Sequence, residues 1–132
     1  MRFIVMILLA MVTGGAAAGW VAFGSSGASN DRFDIYVDPA SIQRSGDTVK
    51  MWDMENYNTP QVTSDKRYLS TRTQMEYDCK GEQWRSLFFA MYSGAMGNGA
   101  IIYSDDGTPD NWKPFHPQTG IETLWKFACD KQ

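Results

Sequence analysis

An N-terminal stretch that reads as an export leader is followed by only two cysteines, and this combination constrains the fold more than any other feature. The chain starts with one basic residue, Arg2, then an apolar run from Phe3 to Val12, then small residues closing on Ala16-Ala17-Ala18. A basic start, a short apolar stretch and small residues at the cleavage-determining places mark a secretory signal peptide. We expect a signal peptide over residues 1–18 and a single domain over residues 19–132, opening on Gly19-Trp20. Export carries Cys79 and Cys129 into a compartment where a disulfide persists. Two cysteines allow one pairing, and closing a loop of that length contributes about 4 kcal/mol in the chain-entropy model. That is a large share of the net stability of so small a domain.

Charge and hydropathy exclude several classes. The leader is too short for a bilayer, which needs about 20 apolar residues, and no later stretch approaches that length. No transmembrane segment is therefore expected in the mature chain. No cysteine sits at the cleavage point, so a lipid-anchored lipoprotein is not expected either. Lys and Arg number 12 against 15 Asp and Glu, and losing Arg2 shifts the net charge from −3 to −4. Nucleic-acid binders carry a basic footprint, which is missing here.

The pattern along the chain is mostly that of strands. Trp20–Phe23 reads as a short first strand, followed by a polar loop from Ser25 to Asn30. Phe33–Val37 alternates and stops at Asp38-Pro39, because proline lacks the ladder donor. A turn at Ser45-Gly46-Asp47 leads into a third strand, Thr48–Tyr57, ended by Asn58-Thr59-Pro60. The fourth strand, Ser70–Cys79, is the clearest. Thr71, Thr73, Met75, Tyr77 and Cys79 share one side, and Ser70, Arg72, Gln74, Glu76 and Asp78 share the other. A turn at Lys80-Gly81-Glu82 returns the chain as a fifth strand, Gln83–Tyr92. Plain alternation puts Trp84, Phe88 and Tyr92 on one side and Leu87, Phe89 and Met91 on the other. Gly94–Gly99 reads as a hairpin tip before a sixth strand, Ala100–Ser104. The last element is a helix whose stripe is Ile121, Leu124, Trp125 and Ala128, with Thr119 and Glu122 spaced as a capping box. Cys129 lies near its buried face, within reach of Cys79. The expected architecture is α+β: a six-stranded antiparallel sheet with one C-terminal helix packed on a face. The apolar surplus on the third and fifth strands calls for cover by a loop, a second copy in a homodimer, or a partner.

Candidate sites are few. His116 is the single histidine, lies between prolines, and has no positioned partner for acid–base work. Asp105, Asp106 and Asp110 fail the spacing of a calcium loop. Gly94–Gly99 lacks the Lys-Ser/Thr of a phosphate cradle and precedes a strand. No catalytic residue, metal ligand or cofactor is expected. The concentrated basic patch is Lys66, Arg67, Tyr68 and Arg72, with the first three expected in the loop before the fourth strand. Basic residues beside a tyrosine suit contact with a protein partner, and these four are the expected contact surface.

Several blocks carry a family resemblance. Tyr36-Val37-Asp38-Pro39-Ala40-Ser41-Ile42 with the Gly46 turn and Val49-Lys50-Met51-Trp52 is one. Lys66-Arg67-Tyr68 through Ser70 to Glu76-Tyr77-Asp78-Cys79 is another, and Glu122-Thr123-Leu124-Trp125-Lys126-Phe127-Ala128-Cys129 closes the set. Together they resemble the surface-adhesin protein E family of bacterial exported proteins. The resemblance implies a Cys79–Cys129 disulfide, no enzyme activity, and adhesion to host extracellular-matrix components. The chain departs from a tethered surface adhesin in lacking a lipid-acceptor cysteine. The alternative reading is a periplasmic structural or envelope-associated protein. Periplasm, cell surface and secreted medium are all compatible with the leader.

Overall fold

The computed structural model describes residues 19–116 and 119–130. The signal peptide expected over 1–18 lies outside the described residues, as does Pro117. The strands are β1 (Val21–Ser26), β2 (Phe33–Ser45), β3 (Thr48–Thr63), β4 (Lys66–Asp78), β5 (Gln83–Tyr92), β6 (Ile101–Asp105) and β7 (Lys113–Pro114), followed by α1 (Gly120–Asp130). They form one antiparallel sheet in the order β1-β2-β3-β4-β5-β6, with β7 added to the start of β5. Every neighbour along the main path is also a neighbour in sequence, so the sheet is a meander built from tight turns and two longer loops, between β1 and β2 and between β5 and β6. Gly46 supplies one of the turns with φ of +62°. The Asp78 carboxylate supplies another by accepting from the amides of Lys80 and Gly81.

Four expectations need correction. β2 does not stop at Pro39 but runs to Ser45, and β3 runs past Pro60 to Thr63. In both cases the proline lies in a register break, between Asp38 and Gln43 in β2 and between Asn56 and Gln61 in β3. A bulge is where a strand tolerates a residue with no donor. β4 begins at Lys66, not Ser70, because Ser64 and Asp65 take φ of +45° and +65° and close a two-residue hairpin. Such a pair of positive angles matches the twist of the flanking strands. Lys66, Arg67 and Tyr68 therefore lie in a strand rather than a loop. Finally, Trp84 does not share a side with Phe88 and Tyr92. Gln74 pairs with Phe88 but Met75 pairs with Ser86, leaving Leu87 as an extra residue that reverses the alternation below it.

α1 packs on the face of Thr71, Thr73, Met75 and Tyr77. The core there joins Val37, Val49, Met51, Met75 and Tyr77 to Leu124 and Ala128, with Trp84 and Ile121 at its margin. The helix start is closed by Thr119, whose hydroxyl accepts from the amide of Glu122 at 3.4 Å. At the other end Arg44 donates to the carbonyl of Cys129 at 2.6 Å, satisfying one of the last helical acceptors. The Cys79–Cys129 disulfide, with Cα atoms 5.7 Å apart, ties the helix to the end of β4 across a separation of 50 residues.

Candidate functional site

The helix covers only part of its sheet face, and the two faces carry different chemistry. On the face away from the helix, Arg72 lies over the Trp52 ring at 4.9 Å and the Trp20 ring at 5.7 Å. Trp52 in turn meets Phe88 at 5.2 Å. The loop between β5 and β6 folds over this layer as a single 3₁₀ turn, Ala95–Gly97. Ser70 anchors it: the buried hydroxyl donates to the Gly94 carbonyl at 2.6 Å and accepts from the Gly97 amide at 2.9 Å. Asn56 accepts from the Met96 amide at 2.8 Å. Gly97 needs φ of +73°, and a Cβ there would meet the Arg72 side chain at 3.1 Å. The glycine-rich stretch is thus a lid over Met54 and Arg72, covering part of the apolar surplus expected from the sequence.

The sequence-defined basic patch is divided. Lys66 and Arg67 are exposed at the β3–β4 hairpin end, opposite Thr63 and Val62. Neither forms an ion pair with any described residue, and Val62 beside them is 66% exposed. Tyr68 follows, packing edge-on against Tyr57 at 5.7 Å, which packs on Phe33 at 5.1 Å. Burial raises the Tyr68 phenol above its ordinary range, with the Glu55 carboxylate adding to the effect. Arg72 does not join them, since it is held beneath the lid on the opposite face.

A cleft of about 410 Å³ opens on the helix side, between α1 and the strands β3 to β6. Asp53 and Glu55 line its floor, Trp84 and Phe89 its wall, and Asp105, Asp110 and Lys113 its outer rim. Lys113 pairs with Asp110 at 3.9 Å and lies over the Trp84 ring at 5.2 Å. A second hollow of about 280 Å³ reaches from Phe89 and Tyr103 to Lys66 at the hairpin. Burial pushes the Asp53 carboxyl up to about 8, and the neighbouring Glu55 adds to the rise. Glu55 is also raised by burial, partly offset by the hydroxyl of Tyr57, which donates to it at 3.0 Å. Tyr77 is held well above the usual phenol range by burial and by Asp53. Sequence reasoning missed this cleft. Asp53 and Glu55 sit two apart in β3, the spacing of one sheet face, and that was the signal available.

The remaining candidates stay apart. His116 is exposed in the segment before α1, with its carbonyl accepting from Thr119. Asp105 and Asp110 reach the cleft rim, yet among the described residues no three of His, Cys, Asp and Glu lie close enough to hold a metal ion.

With this geometry in view, the comparisons decide the family. The model of the surface-adhesin protein E family matches residues 20–130. The chain belongs to the surface-adhesin protein E family. Its fold is similar to that of Haemophilus influenzae protein E in crystal form II, with TM-score 0.64 and 14% identity over 86% of this chain and 88% of that one. Protein E from non-typeable Haemophilus influenzae gives TM-score 0.61 and 15% identity over 86% and 76% of the two chains. At such identity the likeness is one of fold. No significant match is found among curated proteins. Membership in the adhesin E family makes this a surface adhesin-like binding domain. No helix among the described residues is long and apolar enough to cross a membrane.

Proposed function

We propose that this member of the adhesin E family is an exported, non-catalytic domain that binds a protein partner, such as a host extracellular-matrix component, through the β3–β4 hairpin end. The observation that carries this reading is the pair of cations at Lys66 and Arg67, without ion-pair partners among the described residues and held on a two-residue hairpin beside exposed Val62. Cations on a protruding strand end attract an acidic partner over about 8–10 Å in physiological salt. The aromatic run Tyr68-Tyr57-Phe33 stiffens the base of that hairpin and adds a surface of the kind enriched in interfaces. Arg72 supports the opposite face and is not part of the contact. The matching experiment compares capture of immobilised, purified matrix proteins by the wild-type protein and by the Lys66→Glu, Arg67→Glu double variant. Reversal should abolish capture while the melting temperature stays unchanged, because neither cation has an ion-pair partner among the described residues. Unchanged capture would reject the hairpin.

A further inference from the structure

The cleft beneath α1 carries a charge imbalance that the hairpin does not use. Asp53, Glu55, Asp105 and Asp110 line it against a single ammonium, Lys113. That ammonium is already engaged, by Asp110 at 3.9 Å and by the Trp84 ring at 5.2 Å. Asp53 is 7% exposed and lines the cleft, and its carboxyl has no hydrogen bond or ion pair with any described residue. A buried carboxyl without a partner is costly, and a cation entering beside it would offset that cost. We propose that this cleft is a binding site for an organic cation, an alkylammonium or guanidinium group carried either by a lysine or arginine side chain of a partner or by a free amine.

Three features fit that class. The aromatic walls, Trp84, Phe89 and Tyr103, present faces that attract cations, and Lys113 over Trp84 already shows that arrangement. The carboxylates are spread along the cleft rather than gathered in one shell, which suits an extended organic group better than a bare metal ion. The helix contributes only Ile121 and Leu124, an apolar strip on which an alkyl stem packs. The volume of about 410 Å³ lies within the ordinary range of small-ligand sites.

Binding is coupled to a proton. The groups facing Asp53 are Glu55 from β3, Tyr77 from β4, Tyr103 and Asp105 from β6, Asp110 from the segment after it and Lys113 from β7, with nothing titratable from α1 or β5 lining the cleft. Near pH 7 the Asp53 carboxyl holds its proton. A cation beside it favours the ionised form, so the proton leaves to buffer as the ligand enters.

Isothermal titration calorimetry on the purified protein tests this, with Nα-acetyl-lysine methylamide, Nα-acetyl-arginine methylamide and cadaverine as cations. Nα-acetyl-norleucine methylamide is the neutral control. At least one cation should bind and the norleucine amide should not. Repeating the titration in buffers of different ionisation enthalpy should show proton release near pH 7. Asp53→Asn should remove that release and weaken binding by about tenfold or more; Glu55→Gln should weaken it as well. Tighter binding of an amide than of cadaverine assigns the site to a partner's side chain, and the reverse assigns it to a free amine. The Lys66→Glu, Arg67→Glu variant should bind the cations at least as tightly as wild type, since Lys66 lines a hollow that shares Phe89 and Tyr103 with the cleft and the added charge is negative. Loss of matrix capture without loss of cation binding separates this site from the hairpin. Equal binding of the norleucine amide, undiminished affinity in both carboxylate variants, or no binding of any cation would overturn the proposal.

Discussion

The indole of Trp125 donates its N–H to the carbonyl of Asp78 at 2.8 Å, one residue before the half-cystine Cys79. The C-terminal helix is therefore fixed to the end of β4 twice within one turn, by a hydrogen bond and by the disulfide to Cys129. Phe115 packs on the same indole at 5.3 Å, drawing in the segment that precedes the helix.

Removing the covalent tie should be costly. The Cys79→Ala, Cys129→Ala double variant should lose about 4 kcal/mol of unfolding free energy, mainly because its unfolded chain is freed. Trp125→Phe should lose about 1–2 kcal/mol through the unpaired Asp78 carbonyl. Urea titrations of the three proteins give both values directly.

Asp53 should make stability fall as pH rises. Its folded pKa is about 8 against an ordinary value of 3.8, so between these limits the folded state binds more protons than the unfolded one. No penalty applies below about pH 3.8. It accumulates through the window and is complete above about pH 8. Asp53→Asn should therefore be more stable than wild type at neutral pH by more than about 1 kcal/mol, with the gap closing near pH 4. Thermal melts of both proteins across that range show whether the curves converge on the acid side.

The lid on the opposite face should depend on Ser70. Its hydroxyl satisfies the Gly94 carbonyl and the Gly97 amide while itself fully buried. Ser70→Ala should cost about 1–3 kcal/mol, the price of unpaired buried groups. Gly97→Ala should cost at least about 1 kcal/mol, since φ of +73° is strained for any residue with a Cβ. Amide exchange should speed up over residues 94–99 in both variants while the helix face keeps its protection.

The sequence carried the parts of this fold that local chemistry determines. Alternation from Thr71 to Cys79, the helical stripe ending at Ala128 and the lone cysteine pair each state their own structure. The bulge at Leu87 is invisible to alternation because it depends on how β5 meets β4, and missing it misplaced Trp84. Pro39 and Pro60 read as strand ends, yet a bulge accommodates each of them. The Ser64-Asp65 turn has no glycine to announce it, so Lys66 to Tyr68 read as a loop. The acidic cleft is the furthest from legibility. Asp53, Asp105 and Lys113 come together only after β3, β6 and β7 have found their places around β5, and no spacing along the chain encodes that.

The contact surface itself is tested most directly by hydrogen–deuterium exchange on the protein bound to a captured matrix partner. Amides over residues 61–68, with the side chains of Lys66 and Arg67 at their centre, should gain protection on binding. Protection elsewhere, with those amides exchanging as in the free protein, would contradict the account.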